Sequence, residues 1–198
     1  MTAEIEFFFD FISPYTYLAH LGLRRLGATR GATVRYRPIV LIDLMAQVGN
    51  RPTTLESANK GAYAMIDLQR WAQRDGVEFA PNPHWQSLDF GLLGRGALVA
   101  IEDGRGGDYV EAVYPALYGR PRDLGQPGEL LAVLEAAGFD GPQLLQRAGA
   151  KQKIDELAAN TTEAAGRGVF GSPTMFVGRE MFFGNDRMDF VAQALVAA

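Results

Sequence analysis

A chain of 198 residues with 19 basic and 23 acidic side chains and no cysteine has room for one domain, or one domain carrying a large insertion, and buries about 70% of its unfolded surface. The missing cysteines, with His20 and His84 as the only histidines, exclude dithiol redox chemistry, thiolate zinc sites and Cys-His nucleophiles, so any thiol used must come from a small molecule. At a net charge of -4 basic and acidic residues are interspersed, which argues against nucleic acid, and no metal is expected.

The start, Met1-Thr2-Ala3-Glu4, has no basic n-region, and Glu6 and Asp10 interrupt the apolar run behind it. Neither a signal peptide nor a membrane span is expected, and the protein reads as soluble and cytoplasmic. Ile5 to Phe9, extending toward Phe11, reads as a buried strand. Ser13-Pro14 then has the form of a helix N-cap with proline at the first helical position, and the helix runs to about Gly27. Thr33-Val34-Arg35-Tyr36-Arg37-Pro38 alternates as a second strand, which completes a β-α-β unit. Asp43 to Thr54 reads as a loop around Gly49-Asn50-Arg51-Pro52, and Thr53 with Glu56 forms a capping box for a helix that stops at Gly76.

From there to about Gly168 the spacing is helical: Leu92 to Glu102, Tyr109 to Tyr118, Glu129 to Ala137, Pro142 to Ala148 and Lys151 to Arg167. The β period returns at Thr174 to Val177. Gly178-Arg179 supplies a hairpin turn, Glu180 to Phe183 forms the partner strand, and Gly184-Asn185-Asp186 opens a last helix. The order predicts an α/β domain from 1–54 and 168–198, with 55–167 as an all-helical insertion.

Ser13 stands at the C-terminal edge of a strand and the start of a helix, a place that favours an anion. Ser172-Pro173 precedes a strand, where a proline either starts the strand or forms a cis peptide in a tight turn. The segments Phe9 to Ala19, Gly49-Asn50, Asp67 to Ala72, Val169 to Phe176 and Gly184 to Arg187 together resemble the 2-hydroxychromene-2-carboxylate isomerase family. That family is related to kappa-class glutathione transferases within the DsbA-like branch of thioredoxin folds. The resemblance spans the whole chain and implies a thioredoxin-like fold with a helical insertion, glutathione as cofactor and a homodimer.

By the same resemblance the substrate is a small aromatic carboxylate, 2-hydroxychromene-2-carboxylate or a similar acid. Thiolate addition, ring opening, rotation and elimination would yield trans-o-hydroxybenzylidenepyruvate. Ser13 is the implied catalytic residue, stabilising the glutathione thiolate through its hydroxyl and the helix dipole. Without a neighbouring histidine as base it is a poor covalent nucleophile. Asn50, Ser172, Pro173, Phe183, Gly184, Asn185 and Asp186 are implied in holding glutathione, Asp186 pairing with the α-ammonium of the γ-glutamyl end. Lys60, His84 and Trp85 are candidates for the substrate. The family carries a lysine before the Gly-Asn pair where this chain has Met45, which alters the acid-binding half of the site. The competing readings are a kappa-like transferase or peroxidase, and a non-catalytic DsbA-like binding or chaperone protein.

Overall fold

The computed structural model describes residues 4–126 and 128–197, with the side chains of Leu55 and Ala197 left aside. Strand β1 (Glu4–Phe9) pairs in parallel with β2 (Thr33–Pro38) and antiparallel with β3 (Thr174–Val177), and β3 pairs antiparallel with β4 (Glu180–Phe183). The sheet order is β2-β1-β3-β4, so the first and last parts of the chain share one sheet. Both faces of β1 are covered, which is why its sequence is a nearly continuous apolar run instead of a clean alternation. On one face Phe7 stacks on Phe9 at 5.4 Å, and both meet Tyr36 of β2 edge-on. On the other, Phe8 packs edge-on against Phe176 at 5.8 Å. Beside it Arg167 reaches Glu6 at 2.7 Å and holds that carboxyl below its ordinary range.

Helix α1 (Pro14–Arg30) follows β1 and ends at Gly31 in the left-handed conformation. The segment expected as a loop from Asp43 begins inside α2 (Leu41–Gln47), whose Leu41 and Leu44 bury against Phe8 and Ile39. The expected capping box does not start the long helix. Thr53–Glu56 is a single turn, α3, and the chain turns extended at Ser57, whose hydroxyl accepts the Lys60 N–H at the start of α4 (Ala58–Asp75). Gly76 closes α4 in the left-handed region, as expected from its position.

The helical block continues as α5 (Phe90–Glu102), α6 (Gly106–Tyr114) with a π-helical extension over Pro115–Gly119, α7 (Glu129–Ala136), α8 (Gly141–Ala148) and α9 (Lys151–Gly166). α5 and α6 pack on the sheet face that carries Phe7 and Phe9, while α9 lies with α2 on the face of Phe8. α9 is tied to the end of β2: Thr161 Oγ1 accepts the Val40 N–H at 2.9 Å and Asn160 Nδ2 donates to the Pro38 carbonyl. Gly184-Asn185-Asp186 leads into a 3₁₀ turn (Asn185–Arg187), after which α10 (Met188–Ala197) begins. Among the described residues no helix is long and apolar enough to cross a membrane.

Candidate active site

The loop between β1 and α1 is fixed from beneath. Tyr114 Oη donates to the Asp10 carbonyl at 2.8 Å, and Tyr118 Oη lies within hydrogen-bond distance of the carbonyls of Phe11 (2.8 Å) and Ile12 (2.7 Å). The Ile12 N–H donates to Asp10 Oδ2 at 2.8 Å. These bonds satisfy the loop's buried backbone from the helical block and from its own aspartate, as burial requires. Ser13 follows with extended backbone angles and Pro14 as the first residue of α1. It occupies the N-cap position, yet its hydroxyl makes no cap hydrogen bond, so Oγ is left available at the N-terminal end of a 17-residue helix.

Opposite Ser13 the Ser172-Pro173 peptide is cis. Ser172 is buried, and its hydroxyl shares a 3.0 Å hydrogen bond with that of Thr16, one turn into α1. Among the described residues neither its N–H nor its carbonyl takes part in a backbone hydrogen bond. Next to it, Gly184 donates its N–H to the Pro173 carbonyl at 3.0 Å with φ 96°. That φ is the conformation that favours glycine, and a Cβ there would also push the Asp186 carboxylate aside, lying 2.5 Å from its Oδ1. The Asn185 side chain is buried with Nδ2 unpartnered, and Asp186 pairs with Arg187.

Ser13, Ser172, Pro173, Phe183, Gly184, Asn185 and Asp186 all line one cavity of about 900 Å³. Its far wall comes from α2 (Leu41, Ile42, Met45), from α4 (Tyr63, Met65, Asp67, Trp71) and from the stretch Phe79 to Trp85. Tyr15 Oη donates to Asp67 Oδ2 at 3.0 Å across the join between α1 and α4, and burial followed by that carboxylate pushes the phenol above its ordinary pKa. Asp10 sits under this floor at 6% exposure. Burial pushes its carboxyl up to about 6, against the pull of the Ser172 hydroxyl and the N–H groups of Ile12 and Ser13. Among the described residues no group of three or more His, Asp or Glu side chains is arranged to hold a metal ion.

Not every predicted site residue reaches the cavity. Asn50 does not line it; its Nδ2 donates to the Phe170 carbonyl at 2.8 Å, which ties the end of α2 to the loop before the cis peptide. The left-handed conformation in this turn is at Gly49, with φ 69°. Lys60 is exposed with Nζ on Thr53 Oγ1 at 3.1 Å, and His84 turns toward Asp123 at 3.6 Å, so both lie off the cavity wall. Trp85 does line it, packed on Phe90 with ring centroids 4.8 Å apart. Met45 also lines it. Thr16, Tyr114, Tyr118 and the Tyr15–Asp67 pair escaped the sequence reading. The Tyr114/Tyr118 spacing of four on one helix face was the available signal.

A β-α-β and a β-β-α element on one sheet, a cis proline facing the start of the first helix and a helical block between them define a thioredoxin-like protein of the DsbA type. The family model for the DSBA-like thioredoxin domain matches residues 4–196. The 2-hydroxychromene-2-carboxylate isomerase of Sphingobium xenophagum is 34% identical over 197 residues, which cover 99% of this chain and all of the relative. A solved 2-hydroxychromene-2-carboxylate isomerase superposes with a TM-score of 0.90 at 30% identity, covering 98% of this chain and 95% of its own. The glutathione S-transferase kappa 1 of Caenorhabditis elegans is 28% identical, covering 97% of this chain and 90% of its own. The chain belongs to the 2-hydroxychromene-2-carboxylate isomerase family, within the DsbA-like thioredoxin fold.

Proposed function

We propose that the protein is a glutathione-dependent isomerase acting on a substrate of the 2-hydroxychromene-2-carboxylate type. The observation that carries this reading is the unengaged Ser13 hydroxyl at the head of α1, in the same cavity as the buried, unpartnered Asn185 amide. Buried polar atoms are normally satisfied, so an orphan N–H on a residue that lines the cavity is open to a ligand acceptor once the amide turns toward it. The residues present suit glutathione. Ser172 offers a free N–H and carbonyl for an extended peptide. Asn185 Nδ2 can donate to the γ-glutamyl carboxylate, and Asp186 can accept from the ammonium next to it. Ser13 Oγ–H and the α1 dipole favour a thiolate over a thiol, which is the role of a donor at a helix N-terminus. When bound, glutathione supplies a soft nucleophile that adds reversibly to a conjugated carbonyl and so frees its double bond to rotate.

The rest of the chemistry falls to the cavity wall. We divide the chain into 1–54 with 168–198 and 55–167; the first part carries the thiol-side groups and the second carries Tyr63, Asp67, Trp71 and Trp85, which flank an aromatic ring. Loop carbonyls held by Tyr114 and Tyr118 keep Ser13 from drifting as substrate enters. Titration calorimetry with glutathione, paired with ultraviolet detection of the bound thiolate, tests this reading in wild type and Ser13→Ala. Binding in both with the thiolate lost in the variant supports it. An unchanged thiol pKa and full activity in Ser13→Ala would refute the role of Ser13. Stoichiometric consumption of glutathione would select a kappa-like transferase, and no binding would select a non-catalytic relative.

A further inference from the structure

Among the described residues that line the cavity, the carboxylates are Asp67 and Asp186, no histidine is present, and the other protic side chains are neutral hydroxyls, amides and indoles. Groups of that kind are poor bases near neutral pH, so a proton acceptor for substrate has to be one of the two aspartates. Asp186 pairs with Arg187 beside Asn185, at the end of the cavity assigned to the γ-glutamyl group. Asp67 is half-buried on α4, where Tyr15 Oη donates to its Oδ2 at 3.0 Å and Oδ1 accepts no hydrogen bond from another described residue. Tyr15 lines the cavity too and stands two residues after Ser13 in the first turn of α1, so one hydrogen bond ties Asp67 to the segment that carries Ser13. Burial first and the Asp67 carboxylate second hold the Tyr15 phenol above its ordinary pKa. It therefore keeps its proton and orients Asp67 without competing as a base.

In a 2-hydroxychromene-2-carboxylate the 2-carbon carries a hydroxyl, the ring oxygen and the carboxylate. Opening the ring takes a proton from that hydroxyl and gives one to the departing phenolate oxygen. Both oxygens sit on one carbon, so a carboxylate that reaches the first also reaches the second. We propose that Asp67 is the proton acceptor and donor of ring opening. Its Oδ1 takes the hydroxyl proton as the carbonyl forms, the electron pair of the bond between the 2-carbon and the ring oxygen passes to that oxygen, and the same carboxyl returns the proton to the phenolate. Asp67 ends as it began, and no other reactant is consumed. The conjugated carbonyl exists only after this step, so opening precedes thiol addition instead of following it. Arg70, three residues along α4, is exposed and makes no ion pair or hydrogen bond among the described residues, which leaves its guanidinium open to the carboxylate on the same carbon. The proposal deepens the isomerase reading and rests on it for the substrate.

Ring opening is measured without glutathione. Excess hydroxylamine traps the open ketone as its oxime, and at trap concentrations where the rate no longer rises, absorbance follows opening itself. Wild type is expected to accelerate this step; Asp67→Asn should lose about a hundredfold of that acceleration and Tyr15→Phe about tenfold. Circular dichroism and calorimetry with glutathione check that both variants keep the fold and the thiol side. The substrate cis-o-methoxybenzylidenepyruvate cannot close its ring and has no hemiketal proton to move, so its glutathione-dependent conversion to the trans form should stay within about twofold in Asp67→Asn. A wall residue that only shapes the cavity would slow both substrates alike, and that result overturns the proposal. Failure of wild type to speed opening overturns it too, as does equal acceleration by Asp67→Asn. If the asparagine variant does not fold, an unchanged opening rate in Tyr15→Phe overturns it. The isomerase reading fails separately: accelerated opening with no glutathione-dependent trans product overturns that reading alone, and trans product without accelerated opening overturns this inference alone.

Discussion

Asp10→Asn is expected to stabilise the protein near neutral pH and to do so only there. The Asp10 carboxyl is buried at 6% exposure, with Oδ2 accepting the Ile12 N–H at 2.8 Å and Oδ1 without a hydrogen-bond partner. Burial moves its pKa from 3.8 to about 6. Roughly two units at 1.36 kcal/mol each make about 3 kcal/mol. Because the folded value lies above the unfolded one, the folded protein holds more protons at this group between those two values. The contribution of Asp10 to stability is therefore fully present below the unfolded pKa and is lost as pH rises through the folded pKa. Asparagine cannot ionise, and its Oδ1 can still accept from Ile12. In urea denaturation, the difference in unfolding free energy between variant and wild type should grow in favour of the variant by up to about 3 kcal/mol from pH 4 to pH 7. Taking the difference cancels the depressed carboxylates such as Glu6, which contribute with opposite sign. A pH-independent difference would refute the buried acid, and a difference that grows against the variant would refute the sign.

Ser13→Ala should leave thermal stability within about 0.5 kcal/mol, because the hydroxyl makes no cap bond to lose. Glutathione-dependent turnover in the same variant should fall about a hundredfold, with a higher thiol pKa in the bound tripeptide. Tyr118→Phe removes the one phenolic proton shared by two loop carbonyls and should cost about 1–3 kcal/mol by calorimetric unfolding. The double variant Lys60→Ala and His84→Ala should keep kcat/KM within about twofold, since both side chains lie off the cavity. A larger loss in steady-state assays would place one of them against the substrate.

The sheet was legible because its signals are local: an apolar run for β1, alternation in β2 and a two-residue turn at Gly178-Arg179 between β3 and β4. Helix α2 was not. Its seven residues bury only Leu41 and Leu44, too few for a period, and the Gly49-Asn50-Arg51-Pro52 cluster beside them reads as loop. The break between α3 and α4 is similar, since a capping box is a pattern of four residues and Ser57, directly after that box, supplies a competing cap. The cap position of Ser13 shows in the sequence, whereas Ser172 and Asn185 were singled out by the family resemblance; the structure brings all three to one cavity. Lys60 and His84 could not be excluded, because where a long or surface side chain points depends on neighbours such as Thr53 and Asp123. Tyr114 and Asp10 are 104 residues apart and Tyr15 and Asp67 are 52 apart, separations at which no periodicity carries information.

The two sides of the cavity are made of different kinds of group, and this bears on how the site can vary. The side proposed to hold the thiol relies largely on backbone: the head of α1, the unpaired main chain of Ser172, and a glycine at φ 96°. Its position is held by Tyr114 and Tyr118 from the opposite side of the loop. The acceptor side is built from side chains of α2, α4 and the Phe79 to Trp85 stretch. A substitution at Met45 therefore changes the shape and charge offered by the wall without removing a bond that supports the Ser13 loop, whereas one at Asp67 also removes the acceptor of the Tyr15 hydroxyl in the first turn of α1. On the proposed reading, substrate preference can shift in this scaffold while the groups proposed to hold the thiolate stay in place, and the charge on the α2 and α4 walls is the first property to measure when assigning a substrate.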